Sequence, residues 1–250
     1  MASQDKGQRT AGFRMQTSIS SSIVVLIAAF NEEEGIGPTI AEFKEVLQDP
    51  TYLIVDRTSN DKTVEIAKEL GAEILFQKGR GKGNAISEGL SFIDGYPRYV
   101  VFTDADFTYP AKYVLEMIRI LNKNPRVGMV TGNRFNQSLN SSAMKILFCA
   151  GNRLIAFTQR VLNGVDLEDP LTGLRVIRWE ILKGWKPTSQ GFDIEAEMNH
   201  RVKHAGYQTI EIPVQYRARL GEKKLKLRHG LTIFRRIIAE SVRSNFAHGR

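Results

Sequence analysis

Over residues 22–132, five short apolar, β-branched runs alternate with longer stretches spaced like helices, and this alternation constrains the fold more than any other feature of the chain. The runs are SIVVLIAAF (22–30), YLIVD (52–56), AEILFQ (72–77), RYVVFTDAD (98–106) and VGMVTG (127–132). Strands that are apolar on both faces must be covered on both faces, and helices between them make the strands parallel. The expectation is a Rossmann-like, doubly wound α/β fold: a mostly parallel central sheet with helices on both faces. In such sheets ligands bind beyond the carboxyl ends of the strands, so the residues that follow each run carry the chemistry.

Four of the five runs end in polar residues: NEEE after the first, Asp56 and RTSNDKT after the second, DAD after the fourth, and GNRF after the fifth. A sheet that merely packs has no need of so many acids and amides along one edge. Beyond residue 140 the pattern predicts an amphipathic helix over 141–163, a turn DLEDPLTG, a short strand at 174–178, a helix over 193–205 and a strand over 207–216. A basic loop and a final amphipathic helix over 231–246 follow. We expect one catalytic domain over 22–250, with the basic loop at 217–229, and a disordered, polar, Ser-rich tail over 1–21.

A chain of 250 residues with 42% hydrophobic content can bury one substantial core. Its single cysteine, Cys149, excludes a disulfide framework and a Cys-based zinc site, and suits a reducing, cytosolic setting. The most apolar stretch, 143–162, is broken by Lys145, Asn152, Arg153, Gln159 and Arg160, so no bilayer crossing is expected. The net charge of +8 is concentrated at the end: residues 201–250 hold twelve Lys and Arg against three acids. That asymmetry points to an anionic partner, either a phosphate-bearing substrate, an anionic membrane surface or nucleic acid.

The strongest chemical signal is TDADF (103–107), because alternate residues of an extended chain share a face and two carboxylates can serve one site. One of Asp104 and Asp106 would bind a divalent metal directly, and the other a ribose or the phosphate-bound metal. Mg2+ and Mn2+ favour such oxygens together with substrate phosphates. Asn31 and Glu32, where the first strand hands over to a helix, suit base or ribose contacts and equally suit helix capping. Asp56 suits a base or ribose contact. In QKGRGKGNAI (77–86), glycines allow close backbone approach to phosphates and Lys82 adds charge at a helix start; the spacing is not that of an ATPase loop.

Taken in order, AFNEE, VDRTSNDKT, KGRGKGNAI, TDADF-x-x-P, GNR, DPLTGLRV and GFDIEAEM resemble the family 2 glycosyltransferases of the dolichol-phosphate mannose or glucose synthase type, over about residues 22–245. The resemblance implies a GT-A fold and inverting transfer from a nucleoside-diphosphate sugar to a polyprenyl (dolichyl-type) phosphate, with Mg2+ or Mn2+ as cofactor. Asp104 and Asp106 would hold the metal and diphosphate, and Ala29, Asn31, Glu32 and Asp56 would meet the nucleoside. Arg134 would meet the acceptor phosphate or the sugar diphosphate. Arg217, Arg219, Lys223 and Lys224, in a loop similar to the family's GESKL loop, would close over phosphates. Asp193 and Glu195 would lie near the sugar as catalytic acids. Two departures stand out: the usual acid pair after the second strand is Asp56-Arg57, and Thr108 replaces the polar amide that often follows the metal acids. The latter shifts coordination toward phosphates and water. RVIRW (175–179) reads as strand and helix-start packing.

A phosphate acceptor is already ionised and needs no strong base, whereas a hydroxyl acceptor would make Asp193 or Glu195 the base. The alternative is therefore a soluble family 2 transferase acting on a small phosphorylated or hydroxyl acceptor. A nucleotidyltransferase would release pyrophosphate instead, and a nucleic-acid-binding module lacks an aromatic stacking platform here, so no nucleic-acid partner is expected. The expected setting is cytoplasmic, held peripherally at the cytosolic face of a membrane by its anionic surface or by a membrane-anchored partner.

Overall fold

The computed structural model describes residues 22–135, 143–222, 224 and 229–247, without the side chains of 143–148 and 243–247. The expected tail and, in the basic loop, Lys223 and residues 225–228 lie outside the described residues. The chain runs β1 (Ile23–Ala29), α1 (Glu33–Val46), β2 (Thr51–Asp56), α2 (Thr63–Glu69), β3 (Glu73–Phe76), α3 (Lys82–Phe92), β4 (Tyr99–Asp104), α4 (Tyr113–Lys123) and β5 (Val127–Asn133). It continues through α5 (Ala143–Asn163), β6 (Arg175–Arg178), α6 (Trp179–Leu182), α7 (Ile194–His204), β7 (Gln208–Pro213) and α8 (His229–Ala247).

All five apolar runs are strands of one seven-stranded sheet, ordered β3-β2-β1-β4-β6-β5-β7. Each strand sends alternate residues to opposite faces, and both faces are covered. Val25, Ile27, Ile54 and Val101 pack with Ile36, Phe43, Val114 and Met117 of α1 and α4. Val24, Leu26, Val55 and Phe102 pack with Ile86, Leu90, Met198 and Val202 of α3 and α7. An outer layer, α5 and α8, joins α7 through Ile155, Ala196, Ile233 and Ile237.

Two features of topology position the site. β1 lies between β2 and β4, so the chain steps outward from β1 to β3 and then returns to β1's other side. That reversal opens a crevice at the carboxyl ends of β1 and β4. The second is β6, which runs antiparallel to β4 and β5 while the remaining pairs are parallel. Arg175, the first residue of β6, is level with Phe102 and Thr131 near the ends of β4 and β5. The chain therefore leaves the sheet and re-enters it from the same edge, which brings the DPLTG turn onto the crevice.

Candidate active site

The loops after β1 and β2 are locked to each other. Asp56 is fully buried, and its carboxylate accepts from the Ser59 amide at 2.8 Å and the Ser59 hydroxyl at 2.6 Å. The same hydroxyl oxygen accepts from the Asn31 amide, and Asn31 Oδ1 accepts from the Asn60 amide. Glu32 donates its amide to Thr63 Oγ1. The side chains of Asn31 and Glu32 thus tie loops together or face the crevice, and Glu32 makes no side-chain capping bond to α1. Ala29 accepts from the Arg57 amide through its carbonyl, and the Arg57 guanidinium lies 4.8 Å from the centre of the Phe30 ring. Asn31, Thr58 and Phe107 have positive φ, at 49°, 54° and 63°. One such residue follows each of β1, β2 and β4, and backbone held off its preferred region concentrates where a site imposes its own geometry.

Asp104 ends β4 and Asp106 sits in the turn after it. Lys82, the first residue of α3, reaches across to Asp104 Oδ1 at 2.6 Å and to Glu195 Oε1 at 2.7 Å. Burial pushes the Asp104 carboxyl up, but the Lys82 ammonium outweighs it and holds the group below the usual carboxylate range. For Lys82, burial opposes the charge and the two carboxylates more than offset it, so it is held above the ordinary lysine range. Asp106 goes the other way: burial first, and the neighbouring Asp104 charge second, raise it. Its Oδ1 accepts from the Thr108 hydroxyl at 2.6 Å and the Thr108 amide at 3.2 Å. Thr108 therefore orients the carboxylate from the position where an amide was the expected partner. Glycines admit the close approaches: a Cβ on Gly173 would stand 2.4 Å from Asp104 Oδ2, and one on Gly35 would stand 2.5 Å from the Ala105 carbonyl.

On the other side of the crevice, Arg134 is engaged in a fork with Asp169 of the DPLTG turn, at 2.6 and 2.7 Å. Asp169 is fully buried and also accepts from the Arg134 amide. Behind it lies Arg175, with 0% exposure. Its guanidinium donates to the Thr172 carbonyl at 2.6 Å, to Asn199 Oδ1 at 2.9 Å, and more weakly to the carbonyls of Pro170 and Glu195. No carboxylate is among these partners, and burial lowers its pKa. Arg175 pins the turn that carries Asp169 to the helix that carries Glu195. Asp193, at the start of α7, accepts from Arg236 of α8 at 3.0 Å and from the Gly191 amide.

The stretch 217–222, with Lys224, closes the crevice over the DAD turn, just beyond Val214 and Gln215, whose amides donate to the Asn133 carbonyl and the Tyr113 hydroxyl. Its backbone is fixed at two points, where Arg217 donates to the Thr108 carbonyl and Leu220 to the Asp106 carbonyl. Its cations then reach over acids: Arg217 forks onto Glu42, Arg219 meets both Glu32 oxygens at 3.1 Å and Asp106 at 3.6 Å, and Lys224 pairs with Glu32 and the Asn31 carbonyl. Burial raises the Glu32 pKa, and Lys224 and Arg219 recover part of that shift.

Of the residues expected from sequence, Glu32, Lys82, Asp104, Asp106, Glu195, Arg219 and Lys224 form one connected network. Asn31 joins it through Lys224, while Asp56 and Ala29 flank it at the ends of β2 and β1. Arg134 and Asp193 belong to separate pairs beside it, and Arg217 is held by Glu42. Asp169, Arg175 and Arg236 were missed. DPLTG marked the first as a turn residue, whereas no local pattern says that Arg175 points inward or that Arg236 reaches Asp193. Among the described residues no group of three or more His, Cys, Asp or Glu is arranged to hold a metal ion. Asp104 and Asp106 nonetheless provide two hard oxygen donors, and Mg2+ commonly takes one or two carboxylates from protein and the rest from substrate phosphates and water.

The glycosyl transferase family 2 model matches residues 24–184. A Haloferax volcanii protein described as dolichyl-phosphate hexose transferase is 32% identical over 203 residues, which is 81% of this chain and 86% of that one. The dolichol-phosphate mannosyltransferase of Pyrococcus furiosus is 27% identical over 225 residues, 85% of this chain and 60% of the relative. Among solved structures, glucosyl-3-phosphoglycerate synthase from Mycobacterium tuberculosis, in complex with Mn2+, uridine diphosphate and phosphoglyceric acid, superposes with a TM-score of 0.65 at 20% identity. That superposition covers 88% of this chain and 77% of that one. The chain, with its GT-A fold, belongs to glycosyl transferase family 2.

Proposed function

We propose that the protein transfers a hexose from a nucleoside-diphosphate sugar to a polyprenyl phosphate, with inversion at the anomeric carbon. The observation that carries this reading is the meeting of three carboxylates, Asp104, Asp106 and Glu32, with three cations, Lys82, Arg219 and Lys224, at the topological switch point. A site that breaks a glycosyl–phosphate bond must neutralise a departing diphosphate, and preorganised charge is its main catalytic resource. Asp104 and Asp106 would hold Mg2+ or Mn2+, which supplies Lewis-acid charge against the diphosphate. Arg219 and Lys224 would exchange their carboxylate partners for phosphate oxygens, and Lys223 adjoins them in sequence. Asp56, Asn31, Glu32 and Ala29 would bind the nucleoside, and Arg134 the acceptor phosphate.

In the transfer step an acceptor phosphate oxygen attacks the anomeric carbon. The bond to the nucleoside diphosphate breaks, and the bonding pair leaves with the diphosphate. The second pKa of a phosphate monoester is about 6, so near pH 7 the nucleophile is already ionised. That suits a site in which both candidate bases are engaged, Glu195 with Lys82 and Asp193 with Arg236. The relatives named for dolichyl-phosphate and dolichol-phosphate transfer support the same acceptor. Such an acceptor places the reaction at a membrane surface, and no described helix is long and apolar enough to cross one.

The test is a panel of labelled nucleotide sugars with Mg2+ or Mn2+, offered a polyprenyl phosphate or a small phosphorylated acceptor such as phosphoglycerate. The expected outcome is a lipid-linked sugar with release of a nucleoside diphosphate. Transfer to the small acceptor alone, or release of pyrophosphate, would overturn the reading.

A further inference from the structure

Apart from the buried Ile155, helix α5 turns polar side chains inward and large apolar ones outward. Asn152, Thr158 and Gln159 are buried, and Asn152 and Gln159 spend their amides on the carbonyls of Glu168 and Ala196. Leu154, Phe157 and Val161, spaced three and four apart on one face, are exposed, the last two at 63% and 62%. Folding in water places side chains the opposite way, and a run of exposed large apolar groups marks an interaction site. Helix α8, packed against α5, divides its apolar residues between two faces. Ile233 and Ile237 are buried, while Leu231, Ile238 and Val242 are exposed, Leu231 at 67%.

Charge identifies the occupant. The 21 residues of α5 contain no Asp or Glu. The single acid of α8, Glu240, is buried and paired with Arg236. Arg153 of α5 and Arg235 of α8 are exposed among the apolar side chains. A second copy of this chain would bring these cations against their own kind, whereas an anionic surface complements them. Apolar groups and exposed cations on helices too polar to span a bilayer are the pattern of helices that lie in the membrane interface.

We propose that the exposed faces of α5 and α8 dock the protein on an anionic lipid bilayer by inserting Leu154, Phe157, Val161, Leu231, Ile238 and Val242 at the headgroup boundary. The inference rests on the reading that the acceptor is a lipid phosphate, which would lie in that bilayer. The test is sedimentation of the full chain with vesicles of phosphatidylcholine and phosphatidylglycerol, alongside transfer to a short-chain, water-soluble polyprenyl phosphate that needs no bilayer. Wild type should pellet with these vesicles. Replacing Phe157→Ser, Val161→Ser and Leu231→Ser together should lower partitioning at least about tenfold, with thermal midpoint and short-chain transfer unchanged. A second variant, Arg153→Glu with Arg235→Glu, should lose binding to anionic vesicles without altering the apolar side chains. The proposal is overturned if wild type does not pellet, if the triple variant pellets as wild type does, or if that variant turns a wild-type dimer into a monomer with pelleting unaffected. Short-chain transfer by a wild type that never pellets would remove the docking face and keep the acceptor. Pelleting by a wild type that uses no polyprenyl phosphate would do the reverse.

Discussion

The loops after β1 and β2 and the cationic stretch 217–222 with Lys224 meet at Glu32, yet they are held in different ways. The loops are fixed by hydrogen bonds between short side chains and backbone amides: Asp56 to Ser59, Asn31 to Asn60, and Thr63 to Glu32. Such bonds are directional and need no outside ligand. The stretch 217–222 with Lys224 has two backbone anchors at the DAD turn and is held beyond these by ion pairs of Arg217, Arg219 and Lys224. Partly exposed ion pairs contribute little net stability, and each cation can trade one anion for another at small cost. The locked loops are therefore preorganised, and the ionic segment is poised to exchange partners when phosphates arrive.

The largest expected effect lies at the DAD turn, on which the ionic stretch is anchored. Asp106→Ala should lower turnover at least about a hundredfold, the scale of losing one preorganised electrostatic contact. Its thermal midpoint should hold or rise slightly, because burial and Asp104 both disfavour the Asp106 charge. Steady-state kinetics and thermal melting of one preparation check both halves. Full activity, in this variant or in wild type with excess EDTA, would remove the metal-site assignment.

Arg175→Met should act through stability. It leaves the Thr172 carbonyl and the Asn199 amide oxygen without their donor, while the Pro170 carbonyl keeps the Asn199 amide. Buried groups orphaned in this way cost about 2–4 kcal/mol together, a fall of roughly 5–10 °C in the midpoint for a chain of this size. A midpoint within a degree of wild type would mean that Arg175 does not pin the DPLTG turn.

Asp56→Ala should raise KM for the donor about tenfold while turnover at saturating donor changes little, because a nucleoside contact is made equally in ground and transition states. The reverse pattern would move Asp56 toward the reacting centre and erase the distinction between a locked nucleoside side and an exchangeable phosphate side.

The contrast also explains what was legible in the sequence. The strands of the first 135 residues declare themselves by apolar runs, and the acids at their ends are adjacent in space because parallel strands bring every carboxyl end to one edge. Asp56, Asp104 and Glu32 were therefore readable from local pattern together with one topological rule. The antiparallel insertion of β6 was not, since RVIR has the same composition in either direction. RVIRW reads as a packing segment, and nothing local says that the Arg175 guanidinium is enclosed by the DPLTG turn and α7. Helix α8 starts at His229, two residues before the expected Leu231, and its apolar residues read as one broad face although the fold sorts them into two. Amphipathic pattern reports that apolar residues share a side of a helix, and what covers them depends on neighbours such as Ile155 and Ala196 that are remote in sequence.

The smallest expected effect is the most direct test of how weakly the ionic segment is held. Burial raises the Glu32 pKa, and the nearby Lys224 and Arg219 do not fully reverse that shift. An acid whose folded pKa lies above its unfolded value contributes stability that is complete below the ordinary carboxylate range and is lost as pH rises through the folded value. At neutral pH wild type has lost it, whereas Glu32→Gln, which keeps the shape of the protonated acid, has not. The variant should therefore melt slightly higher than wild type at pH 7, and the gap should close as pH falls below the ordinary glutamate value of 4.5. Paired melting curves across that range measure the difference directly, and acid effects common to both proteins cancel. Should Glu32→Gln instead melt lower than wild type at neutral pH, the pairs with Arg219 and Lys224 outweigh the burial of the charge. The stretch 217–222 with Lys224 would then be held firmly over the crevice, and phosphates would have to displace a stable contact rather than replace a marginal one.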